Sequence, residues 1–170
     1  MDVRGFEQAV ASLKDRVHAY ATRMLRDSAE AQDVAQDALV KLWQHREAVD
    51  EPGVRLWLMR TAHNLCIDRL RKCKVRSEVA GGEDLMELQQ DGGPGPENRA
   101  GAREIGHGIE AALGELGDLD RAVLLMREVH GLPYGEIAAA LGLPLGTLKA
   151  RLHRARERLR AKLCEVGVTP

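Results

Sequence analysis

Between Pro133 and Leu163 the chain can form two helices joined by one tight turn, and little else. Tyr134 to Leu141 places Ile137, Ala138 and Leu141 on one helical face, with the small Ala138 where a second helix can approach closely. Gly142 ends that helix, Leu143 continues the apolar seam, and Pro144 is preset for a new helix that runs from Thr147 to Leu163 without Gly or Pro. A small residue, a glycine four positions on and an apolar residue six beyond it (Ala138, Gly142, Leu148) is the packing arithmetic of a helix-turn-helix, whose second helix enters a major groove.

In that second helix Leu145, Leu148, Leu152, Ala155 and Leu159 recur at steps of three and four, which predicts an inner apolar stripe. The same spacing turns seven basic residues (Lys149, Arg151, Arg154, Arg156, Arg158, Arg160 and Lys162) outward against the single acid Glu157. That face suits DNA phosphates. A basic amphipathic helix alone is as readily a solvated surface; the turn spacing just before it is what points to DNA.

The remaining sequence is helix-rich in composition, with 30% charged residues and five aromatics (Phe6, Tyr20, Trp43, Trp57 and Tyr134). No apolar run approaches the ~20 residues of a membrane span. The opening MDVRGFEQ does not read as a secretory signal, so the expected location is the cytosol. Three cysteines, Cys66, Cys73 and Cys164, argue against a disulfide framework. Charge is segregated along the chain. Asp27 to Glu51 holds seven acids and two bases, whereas Arg55 to Arg76 holds seven bases and the single acid Asp68. Two basic stretches, this one and the helix after Pro144, suggest two DNA contacts, and the acidic helix is available to a different partner.

Periodicity predicts a first helix over Phe6 to Leu25, with Phe6, Val10, Leu13, Val17, Ala21 and Met24 on one stripe. Asp27 and Glu30 cap a second helix that ends near Arg46 and buries Val34, Ala35, Ala38, Leu39, Leu42 and Trp43. A polar turn containing Pro52 leads into a third helix, Val54 to Lys74. There Leu58, Ala62, Leu65 and the stem of Arg69 form one side, while Arg60, Asn64, Asp68 and Arg71 share a polar ridge. Asn can hydrogen-bond a base edge and Arg can clamp phosphate; such a ridge is otherwise a solvated face. Residues 77–107, with Gly81-Gly82 and Gly92-Gly93-Pro94-Gly95-Pro96, read as a flexible acidic linker. Beyond it, Ile109 to Leu116 and Leu119 to Val129 are expected to be helices, the second capped by Asp118 or Asp120, completing a four-helix domain around the helix-turn-helix. The expected fold is all-α, two small helical domains joined by the linker.

Three stretches in order, AQDVAQDALVKLW (Ala31 to Trp43), WLMRTAHNLCIDRLRK (Trp57 to Lys72) and PYGEIAAALGLPLGTLKARLHRARERL (Pro133 to Leu159), resemble the signatures of sigma factors of the sigma-70 family, specifically the small extracytoplasmic function (ECF, group IV) type. The resemblance implies region 2 over residues 1–76 and region 4 over 108–170. It also implies binding to core RNA polymerase through the clamp coiled coil and the flap, recognition of the −10 and −35 promoter elements, and an anti-sigma factor as a further partner. It places Asp33, Gln36, Asp37, Leu39 and Trp43 at the clamp-docking positions, with Trp43 read as core rather than contact. It places Arg60, Asn64, Asp68, Arg69 and Arg71 on the −10 element, with the turn from Arg46 to Val54 forming part of a base pocket. That turn lacks the aromatic often found in the family before the Trp. Thr147, Lys149, Ala150, His153, Arg154 and Arg156 fall on the −35 element, Thr147 near the helix N-terminus where a phosphate contact is natural.

Other chemistries fit less well. His63, Cys66 and Cys73 with His45 or His18 make a conceivable metal set, but no fourth ligand has convincing spacing and Cys66 fits the apolar side. No cofactor is expected, and with no phosphate loop, HExxH or nucleophile elbow neither is an enzyme or a small-molecule substrate. An ordinary helix-turn-helix regulator that binds an operator without polymerase is the competing reading; it leaves the acidic helix and the Asn64 ridge unexplained. A helical adaptor that binds only protein would lack DNA affinity.

Overall fold

The computed structural model describes residues 1–79 and 100–165, with side chains over 1–78 and 106–165. All the described secondary structure is helical, and the chain divides into two compact units, Met1–Gln89 and Gln90–Pro170. No described helix is long and apolar enough to cross a membrane.

The first unit is a three-helix bundle. Helix α1, Val3–Leu25, begins earlier than its apolar stripe suggests because the Asp2 carboxylate accepts the Gly5 N–H at 2.7 Å and caps it. It ends at Arg26, the one described non-glycine residue with positive φ (59°), whose N–H reaches the Thr22 carbonyl. Asp27 then accepts the Glu30 N–H at 2.9 Å and opens α2, Ser28–Gln44, as the sequence predicts. Helix α3, Val54–Val79, follows a turn. Val17, Tyr20, Ala21 and Met24 of α1 meet Val34, Ala38 and Leu42 of α2 and Leu58, Ala62 and Cys66 of α3 in a dry core. Each large side chain buried there contributes about 1.5–3 kcal/mol, and the alanines let the helices approach. The Tyr20 hydroxyl lies 3.0 Å from His63 Nδ1. Burial lowers the His63 pKa to about 4 and pushes the Cys66 thiol up to about 12, so the imidazole is neutral and the thiol protonated at neutral pH.

The second unit packs α4 (Ala100–Gly114), α5 (Asp118–Leu124), α6 (Tyr134–Leu141) and α7 (Leu145–Glu165). Residues 120–126 are buried all round, which makes α5 the central helix. The regular helix expected to run to Val129 instead widens into a π-helical turn over Leu125–Val129, where the His130 N–H donates to the Leu125 carbonyl at 3.1 Å. The extra residue lets Met126, before the reversal at Gly131 (φ 61°), and Leu132, after it, both be fully buried. Neither Asp118 nor Asp120 caps α5: its N-cap is Gly117, without a side-chain hydrogen bond. Both acids still complement the positive end of the helix dipole. Gly142 ends α6 in the left-handed conformation (φ 64°), and Leu148, Leu152 and Ala155 carry the buried stripe of α7. Leu145, the first residue of α7, is 45% exposed and departs from that stripe.

Helix also extends into the stretch read as linker, over residues 77–79 and from Ala100 onward. No Gly or Pro interrupts α3 before Gly81, and alanines carry α4 through its glycines at a cost of about 1 kcal/mol for each glycine. The Gly/Pro-rich centre lies outside the described residues.

Candidate functional site

Arg60, Asn64, Asp68 and Arg71 are all exposed and run along one side of α3, as their spacing predicts. Asn64 opens onto a cleft of about 270 Å³ between α2 and α3, lined also by Lys41, His45, Trp57, Thr61, Leu65 and Asp68. The His45 and Trp57 rings are 5.8 Å apart and tilted by 39°, and His45 Nδ1 donates to the Lys41 carbonyl at 2.8 Å, which fixes the imidazole. Aromatic faces beside an amide and a hydroxyl can stack a planar base and hydrogen-bond its edge. The turn from Arg46 to Val54 does not line this cleft, contrary to expectation. It folds back on the start of α1 instead, with Val49 buried and the Met1 amino group donating to the Arg46 carbonyl at 2.8 Å.

Arg69 does not join the ridge. Its guanidinium crosses to α2, where it donates to Glu30 and, at 3.2 Å, to Asp37 Oδ2. The Glu30 hydrogen bond, and then the charges of Glu30, Asp37 and Asp33 against some desolvation, raise the Arg69 pKa above its ordinary value. A residue that the family resemblance assigns to the −10 element is thus joined to the acidic helix.

On α2 itself Asp33, Gln36 and Asp37 are exposed and Leu39 is half-buried. Trp43 is not core: it is 39% exposed, because Ala38 and Leu42 already fill the inward positions. Its ring lies edge-on to Phe6 at 4.9 Å and carries the Arg46 guanidinium at 4.2 Å. Val40, 54% exposed and overlooked in the sequence, continues the same face at helical spacing from Gln36 to Trp43. Acids followed by exposed apolar groups suit a protein partner that is basic and partly hydrophobic.

In the helix-turn-helix, Thr147, Lys149, Ala150, His153 and Arg154 are exposed on α7. The basic face is narrower than its periodicity implies. Arg156 donates twice to Glu128 Oε1 (2.9 and 2.5 Å), and that hydrogen bond is the largest cause of its raised pKa. Arg151 and Arg158 both bind Asp120, and Lys162 binds Glu115 and Glu165. Lys149, Arg154 and Arg160 carry no ion pair among the described residues. Arg121, also overlooked, is buried and donates to the carbonyls of Leu113, Gly114 and Leu116 at 2.8 to 3.0 Å, satisfying the end of α4.

Comparison with known proteins matches each of the two units to a family. Residues 9–76 match the family Sigma-70 region 2, and residues 107–159 match Sigma-70, region 4. The ECF RNA polymerase sigma factor SigW of Bacillus subtilis is 35% identical over 169 residues, covering 95% of this chain and 90% of SigW. The solved sigma factor RpoE of Bartonella quintana, in complex with the anti-sigma factor NepR, shares the fold at a TM-score of 0.76, with 23% identity over 95% of this chain and 98% of that one. CnrH, a sigma factor of Cupriavidus metallidurans solved with the cytosolic domain of CnrY, superposes at a TM-score of 0.68 with 26% identity, over 96% and 90% of the two chains. With region 2 and region 4 matched in order along the chain and 35% identity to SigW over nearly the whole of both proteins, the chain belongs to the extracytoplasmic function sigma factors of the sigma-70 family of RNA polymerase subunits.

Proposed function

We propose that this sigma factor works in the cytoplasm as a dissociable, non-catalytic subunit of the group IV kind, and that its surfaces divide the steps of promoter-specific initiation. Region 2, over residues 1–76, docks on the clamp coiled coil of core polymerase through Asp33, Gln36, Asp37, Leu39 and Trp43, with Val40 between them. Its α3 meets the −10 element through Arg60, Asn64, Asp68 and Arg71. Region 4, over 108–170, engages the flap and reads the −35 element through Thr147, Lys149, Ala150, His153 and Arg154. Residues 77–107 connect the two. Arg69 supports the docking face rather than touching DNA, and Arg156 reaches DNA only by giving up Glu128.

The observation that carries this reading is Asn64 in a cleft walled by Trp57 and His45, bordered by α2, the helix that bears the acidic face. Unstacking a base costs a few kcal/mol, and stacking on an aromatic returns about 1–3 kcal/mol, so a preformed cleft beside a basic ridge promotes melting at the −10 element. An anti-sigma protein that covers these surfaces would hold the factor inactive; the similar RpoE of Bartonella quintana is seen in complex with the anti-sigma factor NepR.

Run-off transcription on sheared genomic DNA of the source organism, with core polymerase and with or without this protein, tests the reading. New discrete transcripts that disappear with Asp37→Arg support it. No new start sites, despite salt-sensitive binding of DNA by the protein alone, would instead make it an operator-binding regulator.

A further inference from the structure

The carboxylate of Asp120, a residue only 8% exposed, accepts from two arginines of α7 at once, Arg151 Nη1 on Oδ1 at 2.9 Å and Arg158 Nη1 on Oδ2 at 3.1 Å. The two arginines are seven residues apart, which in an α-helix is two turns, about 10 Å along the axis and within about 20° around it. They stand on the border between the buried stripe of Leu148, Leu152 and Ala155 and the outward face of Ala150, His153 and Arg154. A hold at two points along one edge of a helix fixes both its rotation and its slide. The adjoining Arg121 fastens the same end of α5 to the last carbonyls of α4, so the carboxylate itself stands on a fixed base.

We propose that Asp120 is a positioning residue for −35 recognition, setting the rotation of α7 and withholding Arg151 and Arg158 from DNA phosphates. The proposal rests on the reading of α7 as the DNA-reading helix. Phosphate contacts add affinity without sequence information, whereas base contacts require a helix held in one orientation. A clamp that neutralises two arginines at the edge of the reading face lowers the first and secures the second. Removing the acid does not strand two buried cations, because Arg158 is 63% exposed and Arg151 reaches solvent too.

The test uses the full chain on a scrambled DNA duplex across a series of KCl concentrations. In parallel, the holoenzyme is measured on a promoter duplex recovered by run-off transcription and on the same duplex with its −35 element scrambled. Arg154→Ala is expected to reduce the slope of log affinity against log salt by about 0.9, the value of one phosphate contact. Arg158→Gln is expected to leave that slope unchanged, since its charge is already withheld. Asp120→Asn is expected to steepen it by about 0.9 to 1.8 and to reduce the −35 preference about tenfold, the scale of one lost base-pair discrimination. Equal slope loss in Arg158→Gln and Arg154→Ala would overturn the proposal, even where Asp120→Asn fails to fold. So would a folded Asp120→Asn protein with unchanged slope and preference. An Arg154→Ala protein that binds like the parent would instead remove α7 as the reading helix, and the proposal with it.

Discussion

Arg69 of α3 donates to Asp37 of α2 across 3.2 Å, so the helix that carries the Asn64 ridge also steadies an acid on the exposed face of α2. Arg69→Ala is expected to lower unfolding free energy by about 1 kcal/mol, since the network is partly exposed. It should also weaken core polymerase binding more than Arg60→Ala does. Urea denaturation and a core-binding titration check the two parts; equal core affinity for the two variants would separate Arg69 from docking.

Asn64→Ala should reduce discrimination at the −10 element by about 1–3 kcal/mol, the range of a good side-chain contact to a base, while −35 binding stays unchanged. Competition between forked templates that differ at single −10 positions measures this. Equal loss at all positions would point to a phosphate contact instead.

Arg121→Ala leaves the carbonyls of Leu113, Gly114 and Leu116 without the guanidinium that now serves them, and should cost about 3 kcal/mol. Arg121→Lys, lacking the planar fork, should recover only part of this. Calorimetric unfolding of the full chain distinguishes them, and a parental midpoint for the alanine variant would contradict the role.

His63 has a folded-state pKa of about 4, lowered by burial from an ordinary 6.5. The unfolded chain therefore binds the proton first as pH falls. Stability is fully present above about pH 6.5 and declines down to about pH 4, by about 3 kcal/mol in all. His63→Asn, which keeps a polar atom near the Tyr20 hydroxyl, should flatten that part of the pH profile of unfolding. A profile as steep as the parent's would assign the loss to other groups.

Features carried by neighbouring residues were legible in the sequence. Asp27 caps α2 three residues ahead of its donor, Gly142 ends α6, and the Arg60, Asn64, Asp68 and Arg71 ridge follows from the spacing on one helix. What escaped depends on partners distant in the chain. Arg69 meets Glu30 from 39 residues away, Arg156 meets Glu128 from 28 and Arg151 meets Asp120 from 31, and the periodicity of one helix holds no information about such partners. Trp43 failed for a related reason: it lies on the apolar side of α2, but Ala38 and Leu42 fill the space beneath that helix. The π-turn has no local signal beyond Gly131, because it is decided by where Met126 and Leu132 must both be buried.

The chain has only two tryptophans, one beside Arg46 at the end of the acidic face and the other in the Asn64 cleft. Their emission therefore divides the two encounters between separate fluorophores. Light from Trp43 should respond when polymerase arrives and light from Trp57 when a base enters the cleft. With Trp43→Phe and Trp57→Phe in turn, the order of docking and melting becomes a matter of which signal changes first, without any label attached to the protein.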